Sequence, residues 1–249
     1  MPDSETRIRL TKDNSAVDYT GIKWVVNPYD EYALEEAIKL KEKLSGNVTL
    51  VSVGPQRAEE AIRTGLAMGA DSAVLVKEEL SDGLAVAKVL SAVISKMQYD
   101  LVLCGKQAID DDSAIVPTAL AEYLGIPNVN IVTKLEISPD KKSAVAVRQI
   151  EGADEKVETA LPAVMSCQKG LNVPRYPTLP NIMKAKKKEI KAMALADIGM
   201  KKEELGSLTN TVEVALPQAR SAGKLVEGET PQEMAAKLAK LLHEEAKLI

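Results

Sequence analysis

Three consecutive aspartates, Asp110–Asp112, close a short loop that opens on Gly105. Ahead of the loop, Leu101–Cys104 is a brief apolar run with the length and company of a buried parallel strand. Behind it, from Asp112 or Ser113 onward, Ile115, Ala119, Leu120 and Leu124 recur at three- and four-residue steps, the spacing of a helix. A strand that passes through a loop into a helix presents unpaired backbone N–H groups and the positive end of the helix dipole, which together suit a phosphate. The plainer alternative is that Asp112 and Ser113 simply cap the helix, since both are ordinary N-caps. Other reactive residue types are thin. His243 is the only histidine and lies in a polar helical stretch, so by itself it builds neither a triad nor a metal site. Cys104 and Cys167 sit inside apolar runs without metal-ligand spacing and read as reduced core residues. Neither G-x-G-x-x-G nor G-x-x-x-x-G-K-S/T occurs. These residues describe a holder and a partner, not a catalyst.

Composition narrows the class further. The chain has 249 residues, enough for one large domain or one domain with appendages, and 45% of them are hydrophobic. With no Phe, one Trp and six Tyr, the core has to be built from Val, Ile, Leu, Ala and Met. A formal net charge of −4 argues against a general nucleic-acid binder. No apolar run is long enough to span a bilayer and no signal-peptide pattern appears, so the expectation is a cytoplasmic protein with no membrane insertion.

The elements that must position the loop follow from periodicity. Arg7–Leu10 and Tyr19–Val26 could be short strands. Asn27-Pro28-Tyr29-Asp30 opens a helical pattern through Leu44, with Asn27 a natural N-cap, Pro28 suited to the first turn and Asp30 complementing the dipole. Val48–Val53 reads as a buried strand closed by Gly54-Pro55, and Gln56–Ala70 as a helix ended by Gly69. Ala73–Lys77 is a strand, and Ser81 caps a helix to about Met97. The alternation predicts a parallel sheet with helices on both faces, whose ligands bind beyond the carboxyl ends of the strands. Val53-Gly54-Pro55, the turn after Lys77 and Gly105–Asp112 are three such ends.

After Pro127 the texture changes. Val129–Ser138, Ser143–Glu151 and Lys156–Cys167 are β-rich and read as antiparallel strands appended to the sheet. Three prolines make Val173–Pro180 an expected exposed loop, followed by the basic run Lys184–Lys188, a solvated face in a net acidic chain and no nucleic-acid patch. Leu179 and Met183 are apolar on it, which exposed loops seldom are without a reason. Thr211–Leu216 reads as another strand. A polar linker then leads to a helix at Pro231–Leu248, with Met234, Leu238, Leu241 and Leu242 on one face for docking. This gives a nucleotide-binding α/β region over residues 1–190 and a C-terminal extension with its helix over 191–249.

Five stretches together resemble the β subunit of electron transfer flavoprotein: NPYDEYALEEA (Asn27–Ala37), VSVGP (Val51–Pro55), RTGLAMGAD (Arg63–Asp71), LCGKQAIDDD (Leu103–Asp112) and PRYPTLPNIMKAKKK (Pro174–Lys188). The likeness runs over nearly the entire chain. It implies a Rossmann-like, adenine-nucleotide-binding α/β fold, a heterodimer whose α subunit holds most of a shared FAD, and an AMP in this subunit. It further implies an electron carrier, not an enzyme, that takes electrons from flavin dehydrogenases such as acyl-CoA dehydrogenases and passes them to a quinone oxidoreductase. Carried over by position, AMP contacts fall on Asn27, Pro28, Tyr29, Asp30 and Val53, and on Gly105, Lys106, Gln107, Ala108, Ile109, Asp110, Asp111, Asp112, Ser113, Ala114, Ile115 and Val116. Backbone amides around Asp112–Val116 would hold the phosphate, with at least two of the three aspartate side chains turned to caps or backbone groups. Ser4 and Tyr29 would lie near the flavin. Tyr176, Pro177, Thr178, Leu179, Pro180, Asn181, Ile182, Met183 and Lys184 would recognise dehydrogenases, with Leu179 as the apolar anchor.

Departures from the family pattern set further expectations. The family begins with a buried strand directly before the equivalent of Pro2-Asp3-Ser4. Met1 stands where that strand ends, so a central strand and one adenine contact are expected to be missing from a sequence that starts late. Ser4 stands where some members have a tyrosine against the flavin ring, and Gln149 where some have a glutamate that influences domain orientation. A bifurcating relative would place a second FAD where AMP sits and oxidise NADH. Asp110-Asp111-Asp112 resembles the AMP-holding form more than the Asp-Gly-Asp of the bifurcating form, while Pro2-Asp3-Ser4 and Leu124–Pro127 have some bifurcating character.

Overall fold

Helix and strand alternate from Pro28 to Leu124 in the computed structural model, which describes residues 1–209, 211–219 and 222–248. The order is α1 (Pro28–Leu44), β1 (Thr49–Gly54), α2 (Ala58–Met68), β2 (Ser72–Lys77), α3 (Gly83–Ile94), β3 (Leu101–Gly105) and α4 (Val116–Leu124). Then follow β4 (Asn128–Ile137), β5 (Ser143–Ile150), β6 (Ala153–Ala160), β7 (Ala163–Cys167), α5 (Leu179–Ala185), β8 (Ile190–Met193) and α6 (Pro231–Glu244). The protein is α/β, with mostly parallel strands flanked by helices. Two units form it, Met1–Ile8 with Asp18–Val212 and Arg9–Val17 with Glu213–Ile249.

Within the larger unit the strands form two sheets, β1-β2-β8 and β3-β7-β4-β5-β6. The first is parallel throughout. In the second, β7 runs parallel to both β3 and β4, and the hairpin β5–β6 is antiparallel to β4. Helices α1 and α2 close one face through Leu34, Ile38, Ile62 and Leu66, while α3 closes the other through Val89 and Val93. Val51 of β1 packs into the same cluster as Val102 and Cys104 of β3, beneath α3 and α4, so the two sheets share a core. Among the described residues β1 pairs only with β2, and β3 only with β7.

Several expectations are corrected. The stretches Arg7–Leu10 and Tyr19–Val26 form no strands and make only the isolated bridges Pro2 to Trp24 and Leu10 to Val17. No neighbouring strand offers them a continuous ladder, and side chains hold the segment instead: Tyr19 and Trp24 pack at 5.4 Å, with the Arg57 guanidinium over both rings. The stretch Lys156–Cys167 is two strands. Its second half, Ala163–Cys167, is buried at every position and lies centrally in a parallel arrangement, because an apolar run without alternation fits a strand covered on both faces. The α3 cap is Asp82, whose Oδ1 accepts the N–H groups of Leu84 (2.8 Å) and Ala85 (3.4 Å), and not Ser81. Thr211–Leu216 forms no strand: Val212 is 98% exposed and finds no ladder to join.

In the second unit, α6 is capped by Thr230, whose hydroxyl accepts the Glu233 N–H at 3.2 Å. None of its described residues is buried, and Leu238 is 46% exposed. No helix among the described residues is long and apolar enough to cross a membrane.

Candidate functional site

Asn27 sits at the N-cap position of α1 in an extended conformation, with Pro28 beginning the helix as its fixed φ allows. Its side chain caps nothing. Buried, its Nδ2 donates to the Gln107 carbonyl at 2.8 Å and to Asp30 Oδ2 at 3.2 Å, while its Oδ1 accepts the Ile109 N–H at 3.2 Å. Asp30 Oδ1 accepts the Gly105 N–H at 2.7 Å. The start of α1 is thereby fastened to the loop that leaves β3. This approach requires glycine at 105: a Cβ there would lie 2.6 Å from Asp30 Oδ1 and 2.7 Å from both the Asp30 nitrogen and the Tyr29 carbonyl carbon. The loop is tied next to β7 by the Lys106 N–H to the Cys167 carbonyl at 3.0 Å, and the Lys106 ammonium lies 5.8 Å from the Tyr29 ring centre.

The rest of the loop is longer than the periodicity suggests. The helix begins at Val116, not at Asp112 or Ser113, and Ile115 at its N-cap position supplies no side-chain bond. Pro117 in the first turn sets the start, and Asp112 and Ala114 take left-handed φ values of 54°. The simple capping alternative is therefore overturned. Asp112 Oδ1 accepts from Gln107 Nε2 at 2.5 Å, and Asp111 Oδ1 accepts the Ser113 N–H at 3.0 Å. Two of the three carboxylates are thus turned to groups of the loop, one of them a backbone N–H. Asp110, Asp111, Asp112, Ser113, Ala114 and Ile115 are all exposed. Ala108 accepts the Asp112 N–H, which folds the loop back on itself.

Val53 lies near the carboxyl end of β1 and packs toward the α3 cluster. Ser4 lies in an exposed turn closed by the Thr6 N–H to the Asp3 carbonyl. The Met1 amino group, three residues away, feels Asp110 and Asp30, although burial outweighs them and lowers its pKa. Burial raises the pKa of the Asp30 carboxyl against the opposing bonds from Gly105 and Asn27. The Asp30 residue as a whole stays exposed, while its two carboxylate oxygens accept from Gly105 and Asn27. Burial, then Asp30, pushes the Cys104 thiol up to about 12, so it stays a neutral thiol of the core. Both cysteines are free.

A second set of exposed residues follows β7. The proline-rich segment is not irregular throughout: Leu179–Ala185 is helical, because Pro180 in a first helical turn costs no hydrogen bond and its ring presets φ. Tyr176 and Leu179 are 94% and 74% exposed, and Met183 faces outward too. Thr178, Pro180, Asn181 and Lys184 are also exposed, while Pro177 is half-buried. Ile182 and Ala185 point inward and join the core under α1 and α2. Sequence reasoning missed Arg175, which grips Glu35 and Glu42 of α1, and Arg63, which reaches the carbonyls after α5. The signal was two glutamates seven residues apart on one face of α1.

Parallel strands whose carboxyl ends carry a loop fastened to a helix start define a Rossmann-like α/β protein with a candidate ligand cleft at that rim. Residues 16–198 match the family model described as electron transfer flavoprotein domain. The chain is 44% identical over 249 residues to the electron transfer flavoprotein subunit beta of Bacillus subtilis, covering 98% of this chain and 96% of that protein. It is 41% identical over 235 residues to the subunit beta of Thermoanaerobacterium thermosaccharolyticum, with 92% and 89% covered. It is also 40% identical over 242 residues to the human subunit beta, with 95% and 92% covered. The chain belongs to the electron transfer flavoprotein family, among its β subunits.

Proposed function

We propose that this chain is the β subunit of a heterodimeric electron transfer flavoprotein that carries electrons and catalyses no reaction of its own. With an α subunit it shares one FAD, held mainly by that partner, and its own cleft takes AMP. Flavin dehydrogenases, such as acyl-CoA dehydrogenases, reduce the flavin, and a quinone oxidoreductase accepts the electrons. The observation that carries the nucleotide reading is the fastening of Asn27 and Asp30 to Gly105–Ile109 at the strand ends, the rim where ligands of such sheets bind.

The residues present fit an adenine nucleotide. The loop itself uses the Asp112 and Ser113 N–H groups, so the amides of Ala114–Val116 leading into α4 are the ones suited to its phosphate, and the loop occupies the carboxylates of Asp111 and Asp112 internally, which lessens their repulsion of an anion. Asp30, in the first turn of α1 and bonded to Gly105 where the loop begins, is an acceptor suited to the amino or hydroxyl groups of a nucleoside. Exposed Tyr176, Leu179 and Met183 support dehydrogenase docking, and the unburied apolar face of α6 supports docking onto the α subunit.

Co-expression with the α subunit, followed by flavin and nucleotide extraction, tests the reading. One FAD and one AMP per heterodimer are expected. Two flavins and no AMP would replace it with the bifurcating reading, and absence of flavin would overturn both.

A further inference from the structure

The exposed row Tyr176, Leu179 and Met183 is anchored at both ends by arginines. Immediately before it, Arg175 makes a fork onto α1: its Nε and Nη2 donate to the two carboxylate oxygens of Glu35 at 2.9 and 3.0 Å. Its Nη1 and Nη2 donate to Glu42 at 2.6 and 3.1 Å. Its backbone N–H adds a bond to Glu35 at 3.1 Å. Glu35 is only 5% exposed, so this carboxylate depends on the arginine for its partners. The planar guanidinium fixes direction as well as distance, which a lysine ammonium does not. At the far end, Arg63 of α2 donates through Nη1 to the carbonyls of Ala185, Lys186 and Lys188 at 2.9, 3.3 and 3.2 Å, holding the turn into which α5 runs out.

We infer that Arg175 and Arg63 are positioning residues, which hold the apolar row in one orientation so that a dehydrogenase meets a preset surface. An apolar side chain 74% exposed has little packing of its own to orient it, so its direction comes from the backbone that carries it. Fixing that backbone in advance lowers the entropy lost on docking. The inference rests on the docking reading above.

The test uses the flavin-loaded heterodimer and an acyl-CoA dehydrogenase reduced by its own acyl-CoA. Variants are Arg175→Gln, Arg175→Lys, Glu42→Gln and Arg63→Gln, with Leu179→Ala as the control for docking itself. Expected is a KM of the dehydrogenase for the heterodimer raised at least fivefold in Arg175→Gln and at least twofold in Arg63→Gln. Flavin content and direct flavin reduction by dithionite remain unchanged, and Arg175→Lys restores part of the KM. Glu42→Gln leaves the buried Glu35 pair intact, so it reads the same KM, raised about twofold, in a chain whose folding is not at risk. Loss of transfer in Leu179→Ala together with normal KM in all the arginine and glutamate variants would overturn the inference alone. Normal transfer in Leu179→Ala as well would overturn the docking reading and the inference with it.

Discussion

Asp30 Oδ1 receives the backbone N–H of Gly105 at 2.7 Å, joining the first turn of α1 to the end of β3 across 75 residues of sequence. The carboxylate thus takes the place of a strand-to-strand or water bond at the point where the sheet's rim opens. Loss of this bond leaves a partly buried N–H without its acceptor, which typically costs about 1–3 kcal/mol.

Asp30 should make stability depend on pH. Its folded-state pKa is raised by burial, so the folded protein holds the proton more tightly than the unfolded chain. Its stabilising contribution is therefore fully present below the ordinary carboxylate range and is lost as pH rises through the raised folded value. Asn at this position keeps an acceptor for Gly105 and is neutral throughout. The Tm of Asp30→Asn relative to the unaltered chain should be higher at about pH 7.5 than at about pH 4. Melting curves at the two values check this; equal differences at both would mean that Asp30 titrates as it does in the unfolded chain.

Gly105→Ala should damage both stability and the cleft. The added methyl meets Asp30 Oδ1 at 2.6 Å and backbone atoms of Tyr29 and Asp30 at 2.7 Å; the side chain could turn away but the backbone could not, so α1 has to move. Overpacking of this kind costs about 1–3 kcal/mol. Thermal melting and nucleotide extraction should both register the change; unchanged nucleotide content alongside a lowered Tm would separate the cleft from this contact.

Leu179 and Ile182 stand three residues apart in α5 and should behave oppositely. Leu179→Ala should alter stability by no more than about 0.5 kcal/mol, as an exposed substitution does. It should reduce electron transfer from the dehydrogenase about tenfold, equivalent to ~1.4 kcal/mol. Ile182 packs against the α1–α2 core, and Ile182→Ala should cost about 1–3 kcal/mol of stability. Melting temperatures paired with steady-state transfer rates distinguish them, and a Leu179→Ala protein that melts early yet accepts electrons normally would make Leu179 a local packing residue.

The apolar face of α6 should matter to association and not to the fold of the larger unit. Leu238→Asp places a charge on a side chain that is already half exposed, so the main melting transition should hold. Affinity for the α subunit should fall at least tenfold, about 1.4 kcal/mol, when measured by titration of the purified subunits. Full affinity in this variant would remove α6 from the interface.

Much of this molecule is local in origin. The α/β alternation and the parallel strands β1 to β3 follow from periodicity and turn residues within a few positions, and Pro28 marks the start of α1, so all of these are legible in the chain. The rim at Gly105–Asp112 follows from the same alternation, since ligands of such sheets gather at strand ends. Packing between distant elements decides that Asn27 spends its amide on Gln107 and Ile109 and not on its own helix. A capping amide and a loop-bridging amide are the same residue in sequence, and the choice depends on which unpaired backbone groups another element brings within reach. It likewise decided that Ala163–Cys167 lies between β3 and β4, because a short apolar strand is recognised by what buries its two faces. Arg175 and Glu35 are 140 residues apart, and nothing in either neighbourhood pairs them; the buried carboxylate acquires its partner only when α1 and the segment after β7 are packed together, since burial is what makes an unpaired charge too costly to keep.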